Sequence, residues 1–356
     1  MMNTHSASAD FRPRFPDRTL PVAILGCGQI AQDAHLPAYT AAGLRVAGVW
    51  SANREAIAGI TDRFPVIERV YDSPEDLLAD PGVGIVDIAT PVSVRDQWVE
   101  AAVAAGKHIL AQKPLTMNPD RLLPVLAEAD RRGVKVAVNQ NGRWAPPWRL
   151  ATLLVRQGAI GAVIGVTHLH DKPLPPIAGT PFDDLEHMLV TDYLLHWIDI
   201  SRCWLSGKRA TWVQAADARI PGQPATAKNP WSASIAIGCE DGARADMRVV
   251  GNVRTSEPGC PFWIHGTTGT IRGSVLFGSD RVSLDDGDTV TDFPLTGQWF
   301  VDGFAGTMGE LQCAIAEDRQ PENDARSNLA TVRLMLAARD SAAANGAVHR
   351  FDPETL

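Results

Sequence analysis

The sequence predicts an α/β protein in two parts: a doubly wound parallel sheet, then an α+β domain on a large, mainly antiparallel open sheet. Three observations carry this reading. At 356 residues the chain exceeds one ordinary core. Up to residue 142, short apolar runs alternate with helix-compatible stretches, the pattern of parallel strands joined by right-handed crossovers. Beyond it, strand-like runs follow one another with turn signals between them. The expected division is an arm over 1–19, a first domain over 20–142 and a second domain over 143–356, with closing helices that can pack back on the first domain.

The first element decides the class of ligand. Val22–Leu25 reads as a short buried strand, and Gly26-Cys27-Gly28-Gln29-Ile30-Ala31 then gives G-x-G-x-x-A before a helix over Asp33–Ala42. The first glycine permits a tight turn, the second lets a diphosphate approach the main chain, and the small third residue lets helix pack on strand. Helix N-termini favour the negative charge. A nicotinamide dinucleotide is the expected cofactor. Leu44–Trp50 is the second strand, and its end chooses between NAD and NADP. A carboxylate there would hold the ribose hydroxyls of NAD. Instead Ser51, Asn53 and Arg54 stand there, with no carboxylate until Glu55. This favours NADP, although Ser51 or Asn53 also fits a helix cap and Arg54 a solvated first-turn residue.

The alternation continues with a helix at Ser73–Ala79, a strand at Val83–Ala89 and a helix at Ser93–Ala105. Lys107–Leu110 and Val134–Val138 are strands around a helix at Pro119–Arg132. Ligands bind at the carboxyl ends of such strands, which adds Thr90, Pro91, Gln112, Lys113 and Asn139 to the cofactor-facing set. Lys113 precedes Pro114, which fixes its turn. A cation there can polarise a hydroxyl or carbonyl, and it fits a solvated turn equally well.

Composition sets outer limits. Hydrophobic residues make up 45% and charged residues 21%, with a net charge of -8, which disfavours a broad nucleic-acid surface. The five cysteines (Cys27, Cys203, Cys239, Cys260 and Cys313) show no C-x-x-C spacing, which points to reduced thiols in the cytoplasm. No apolar run suits a bilayer, and the first segment lacks the apolar stretch of a secretory signal, so it reads as a flexible or strapped-down arm.

In the second half, Trp148–Gln157 reads as a linking helix. Strands follow at Val163–His170, Thr211–Ala216, Ser232–Gly238, Ala243–Val250, Phe262–His265, Thr270–Arg272 and Val282–Leu284, with closing helices at Glu310–Glu317 and Ser327–Ala344. Met188–Leu205 is apolar nearly all round, yet Asp192, His196 and Asp199 share one face of it as a helix. Buried Asp and His need a partner, a ligand or a chemical role, so the trio is either a satisfied core network or a reactive one. His168, His170 and His187 with Asp183 or Asp184 lack metal-ligand spacing, so no metal is expected. Trp144, Trp148 and Trp299 fit a sugar platform or the core.

These residues resemble the glucose–fructose oxidoreductase / inositol dehydrogenase / MocA (Gfo/Idh/MocA) family. The resemblance runs through Val22–Ala31, His35-Leu36-Pro37-Ala38, Thr90-Pro91, Ala105–Ile109 and Lys113-Pro114 into the second half. It implies a Rossmann domain, an NAD(P)-dependent oxidoreductase and a sugar, polyol or related cyclic alcohol as substrate. It also implies Lys113 as electrostatic stabiliser, His196 as general acid/base beside Asp192, and Arg143 among the substrate-binding residues with Lys113, Asp192 and His196. The family's open sheet commonly joins subunits, which implies a homodimer or homotetramer. Three departures stand out: Gln112 replaces the family's glutamate, Arg95 stands where a histidine is common, and Glu186-His187-Met188 replaces a glycine-rich lead-in. The rival functions are a glycosidase that uses bound NAD transiently and a non-catalytic NADP-binding sensor.

Overall fold

A computed structural model describes residues 10–174, 177–276 and 278–352. The chain divides into two compact units: Arg12–Trp144 with Gly297–Val332, and Ala145–Thr296 with the chain from Arg333. Residues 297–332, with the first of the closing helices, thus belong with the first of these units.

The first unit holds five parallel strands in the order β2-β1-β3-β4-β5. They are β1 (Val22–Leu25), β2 (Val46–Trp50), β3 (Ile85–Ile88), β4 (His108–Gln112) and β5 (Val136–Asn139). All but the ends of these runs are buried on both faces, which is why they read as apolar stretches, broken only in β3 by the buried Asp87. The helices between them are α1 (Leu36–Ala41), α2 (Ile60–Arg63), α3 (Pro74–Ala79), α4 (Val92–Ala104) and α5 (Pro119–Arg131). Local chemistry sets their starts. Ser73 Oγ accepts the Asp76 N–H, Asn118 Oδ1 accepts the Arg121 N–H, and a proline opens each of α3 and α5. The strand order reverses at β1, so the crevice for a ligand lies above the ends of β1 and β3.

The second unit is built on nine strands in the order β13-β12-β11-β10-β6-β9-β8-β7-β14. These are β6 (Val163–His170), β7 (Ala210–Ala218), β8 (Ser232–Cys239), β9 (Arg244–Val250), β10 (Cys260–Gly266), β11 (Thr270–Val275), β12 (Arg281–Asp285), β13 (Val290–Phe293) and β14 (His349–Arg350). Among these described strands, only β6 and β9 pair in parallel. Helices α6 (Pro146–Arg156) and α7 (Leu195–Trp204) pack on one face of the sheet. Trp148, Trp204 and Phe262 fill the space between, with His168 stacked at 5.4 Å on Trp204.

The chain returns to the first unit with α8 (Phe304–Ala316), and α9 (Ala325–Ala343) begins there. The expected helix started only at Glu310, because Gly306 and Gly309 disguise its first turns. Those glycines are close-approach sites. A Cβ at Gly306 would come within 2.3 Å of Trp144, and one at Gly309 within 2.2 Å of the Arg14 carbonyl oxygen. Of the expected arm, residues 1–9 lie outside the described residues. Its later part is held against α8, where the Cys313 thiol donates to the Arg14 carbonyl at 3.7 Å and Phe15 packs on the core. Just past the arm, the Gln312 amide bonds both backbone groups of Leu20, at 2.8 and 2.9 Å. All five cysteines are thiols, with no disulfide between them. Among the described residues no helix is long and apolar enough to cross a membrane.

Candidate active site

The glycine turn is built for a close approach. Gly26 has φ +93°, and a Cβ there would lie 2.8 Å from Thr90 Cγ2 and 2.9 Å from the Thr90 amide nitrogen. The loops after β1 and β3 therefore touch at the reversal point, and only glycine allows it. A Cβ at Gly28 would meet nothing within 4 Å, so that position faces open space. Gln29 is exposed and Ile30 half-buried. A diphosphate needs this combination, a closed first glycine and an open second one. The following helix begins as a π-turn, Ala31–His35, rather than as the regular helix expected from Asp33. Cys27 is buried, and burial pushes its thiol up to about 12, with the Asp87 carboxylate adding to the effect. It is an inert packing thiol.

At the end of β2, Ser51 is buried, Asn53 Oδ1 accepts the Ala56 N–H at 3.1 Å, and Arg54 is exposed. The Arg54 guanidinium donates to the carbonyls of Tyr71 (3.0 Å) and Asp72, which holds its head at this edge. The Asn53 side chain thus closes the turn that leads into the short helix Glu55–Ile57.

Thr90 is buried, and Pro91 opens α4. Arg95, also buried, donates to the carbonyls of Thr90 and Pro114 and so ties the loop after β3 to the loop after β4. Its position in the sequence gave no hint of this. Strand β4 runs two residues past its expected end, which puts Lys113 directly after the sheet edge. Gln112 is buried and paired in register with Asn139, and its Oε1 accepts the Lys113 N–H at 2.9 Å. The Lys113–Pro114 peptide is cis.

Asn139 sits deeper than a ligand-facing residue. It is fully buried; its Oδ1 accepts the Thr307 hydroxyl at 2.8 Å and its amide nitrogen lies 3.3 Å from His35 Nε2. His35 Nδ1 and the Tyr39 hydroxyl both meet Asp87 Oδ2 at 2.6 Å. With the Asn139 amide donating to Nε2, the Nδ1–H is the ring donor that points at Asp87. Sequence reading missed this chain, because its members lie far apart in the sequence. Arg143 is buried in the short turn Asn141–Trp144 and donates to the Glu322 carbonyl at 2.6 Å.

The second unit carries Asp192 and His196. The regular helix expected over Met188–Leu205 is broken: Leu189–Tyr193 is a π-turn, and α7 starts at Leu195. The Leu194 N–H reaches back to the Leu189 carbonyl at 2.8 Å, one residue further than a regular turn, so the four-and-three spacing no longer defines one straight face. Asp192 and His196 flank the junction, both half-buried, while Asp199 is buried. Tyr193 stacks on Trp197 at 5.4 Å and bonds His170 Nε2 at 2.6 Å. Burial drives His168 and His170 down to about 3, and Lys172 adds to the effect on His170, so both rings are neutral. His168 Nε2 bonds Ser201 at 3.1 Å. His187 pairs with Asp217 at 2.8 Å. Among the described residues no group of three His, Cys, Asp or Glu is placed to hold a metal. Trp148 is wholly buried and Trp144 and Trp299 nearly so, which makes all three core residues.

Residues 20–140 match the model of an oxidoreductase family with an NAD-binding Rossmann fold, and residues 148–272 match the Gfo/Idh/MocA C-terminal domain. The chain belongs to the Gfo/Idh/MocA family. It is an oxidoreductase with an NAD-binding Rossmann domain and a mainly antiparallel second domain. Among Gfo/Idh/MocA relatives, a D-apiose dehydrogenase of Paraburkholderia graminis is 26% identical over 88% of this chain and 85% of its own length. An inositol 2-dehydrogenase of Saccharopolyspora erythraea is 28% identical over 66% of this chain and 67% of its own. In fold the chain is similar to an Agrobacterium radiobacter oxidoreductase solved with NAD+, L-tartaric acid and magnesium. The TM-score is 0.81 at 22% identity, over 94% of this chain and 98% of that one.

Proposed function

We propose that this enzyme transfers a hydride between NADP and a carbinol or carbonyl carbon of a sugar, polyol or related cyclic alcohol. The observation that carries the reading is the edge of the parallel sheet: an open Gly28 beside a closed Gly26, with Lys113 leaving β4 on the same carboxyl edge. The relatives named for apiose and inositol support the substrate class.

In this reading His196 takes the substrate hydroxyl proton in oxidation and returns it in reduction. Asp192 orients the imidazole and favours its charged form. Lys113 stabilises the developing alkoxide, and Arg143 shapes the sugar end of the site. The nicotinamide, when bound, supplies the hydride chemistry. Gly26, Gly28, Gln29 and Ile30 hold the diphosphate and its flank, while Thr90, Pro91 and Gln112 line the crevice. Asn139 is a positioning residue through His35 and Thr307.

NADP is favoured because Ser51–Arg54 holds no carboxylate and an anchored guanidinium stands there. Ser51→Asp is expected to move the ratio of NADP to NAD catalytic efficiency by about tenfold or more toward NAD, through repulsion of the 2′-phosphate. An unchanged ratio, in that variant or in Arg54→Ala, sinks the NADP assignment.

The exposed face of β6–β9, with Thr167, Ser234, Ala236 and Ala216 around a shallow depression of about 370 Å³, supports assembly as a homodimer or homotetramer. Sedimentation of the purified chain as a monomer would refute it. The cysteine thiols fit a reducing, cytoplasmic setting.

A further inference from the structure

Phe300 is a large apolar side chain left 51% exposed. It lies in a π-turn, Trp299–Gly303, that leads into α8. Such turns are rare and occur often at functional places. This one is firmly held. Trp299 is buried and its Nε1 donates to Asn141 Oδ1 at 2.5 Å. Gly303 lies so close to Asn141 that a Cβ would come within 2.6 Å of its carbonyl oxygen. At the start of the turn the Gln298 N–H donates to the Asp302 carboxylate at 2.7 Å, and the Asp302 N–H returns to the Gln298 carbonyl at 3.0 Å. The exposed ring is therefore presented by a fixed support.

What stands behind the ring gives its direction. Phe300 stacks on Phe304 with centroids 6.1 Å apart, and the Phe304 ring meets His35 edge-on at 4.8 Å. Phe304 shares a core with Cys27, Ala31 and Ala34 of the glycine turn and its helix, and Ile30 packs on the margin of that core. The turn thus spans from the glycine loop to the residues just beyond β5. A dinucleotide crossing the reversal point with its adenosine half over β2 carries its other half toward this side.

We propose that Phe300 binds the nicotinamide ring of the cofactor, packing an aromatic face against it; the inference rests on the dinucleotide reading above. A flat heteroaromatic is the occupant that one exposed, rigidly held ring suits. The oxidised form is a pyridinium cation, which a ring face attracts beyond simple area burial.

The test compares two ligands on the wild type, Phe300→Ala and Phe300→Tyr by calorimetry: oxidised NADP, and 2′-phospho-ADP-ribose, which lacks the nicotinamide. Phe300→Ala is expected to weaken NADP by at least about fivefold and leave 2′-phospho-ADP-ribose unchanged, while Phe300→Tyr restores NADP binding. An undiminished NADP affinity in Phe300→Ala overturns the proposal, as does an equal loss for both ligands. If the wild type bound neither NADP nor NAD, the dinucleotide reading itself would fall. A thermal melt of each variant checks that the half-exposed position tolerates the change.

Discussion

Gly26 and Gly28 look alike in the sequence and differ in what a single methyl would do. At Gly26 it would meet Thr90 at 2.8 Å on a backbone at φ +93°, so Gly26→Ala is expected to cost about 2 kcal/mol or more of folding stability. At Gly28 the methyl meets nothing, so Gly28→Ala should leave stability within about 0.5 kcal/mol while weakening the dinucleotide at least about tenfold. Denaturant melts with cofactor titrations separate the two outcomes. A second residue-scale prediction concerns acid. His168 is held near 3 by burial, whereas an unfolded histidine titrates near 6.5. The folded state refuses a proton that the unfolded chain accepts, so stability is present above about 6.5 and is lost as pH falls toward 3, by up to about 1.4 kcal/mol per pH unit. The drop in Tm between about pH 7 and about pH 5 should be shallower in His168→Gln; an unaltered slope contradicts a buried neutral ring. Glycines with a required geometry were legible at this scale. The Asn139–His35–Asp87 chain was not, because a buried polar network is a product of tertiary packing and leaves no periodicity.

Among the elements, the strands of the first unit and the starts of α3, α4 and α5 were readable, whereas β13, β14 and the starts of α1, α7 and α8 were not. The buried strands of the first unit are mostly Val, Ile, Leu and Ala, with Gly48 in β2 and Asp87 in β3 as the interior exceptions, a signal that survives without any neighbour. The π-turns at Ala31–His35, Leu189–Tyr193 and Trp299–Gly303 share the apolar content of ordinary helix, so one-sequence periodicity cannot separate them. The hidden first turns of α8 have another cause: its glycines make room for Trp144 and Arg14, contacts that only the fold reveals. Arg95 shows how one side chain joins two elements. Its guanidinium satisfies carbonyls on the loops after β3 and β4, so Arg95→Ala should destabilise the protein by about 2 kcal/mol and raise the cofactor KM. A variant with wild-type melting and KM would show that the two loops hold their shape without it.

For the whole molecule, the chain order is less simple than the domain order. Residues 297–332 complete the parallel-sheet unit: Phe304, Met308 and Leu311 enter its core, Thr307 bonds Asn139, and Asn323 bonds the Val138 carbonyl at 2.9 Å. A fragment of residues 12–144 alone is therefore expected to unfold without a cooperative transition, and joining 297–332 to it should restore both the transition and dinucleotide binding. Equal behaviour of the two fragments would contradict that role. The family motifs made the overall class readable and the closing helices were open to a return to the first domain, but the partners that α8 meets there were not readable, because they are distant in sequence. The central claim is hydride transfer with His196 as acid/base, and the most direct measurement follows reduced nicotinamide during incubation with a panel of sugars, polyols and ketones. Wild type should reduce or oxidise the cofactor one-for-one with a substrate, and His196→Asn should lose at least about a hundredfold in kcat with its dinucleotide Kd unchanged. No stoichiometric redox change with any substrate and either cofactor, sugar release without net redox, or full turnover in His196→Asn would contradict it.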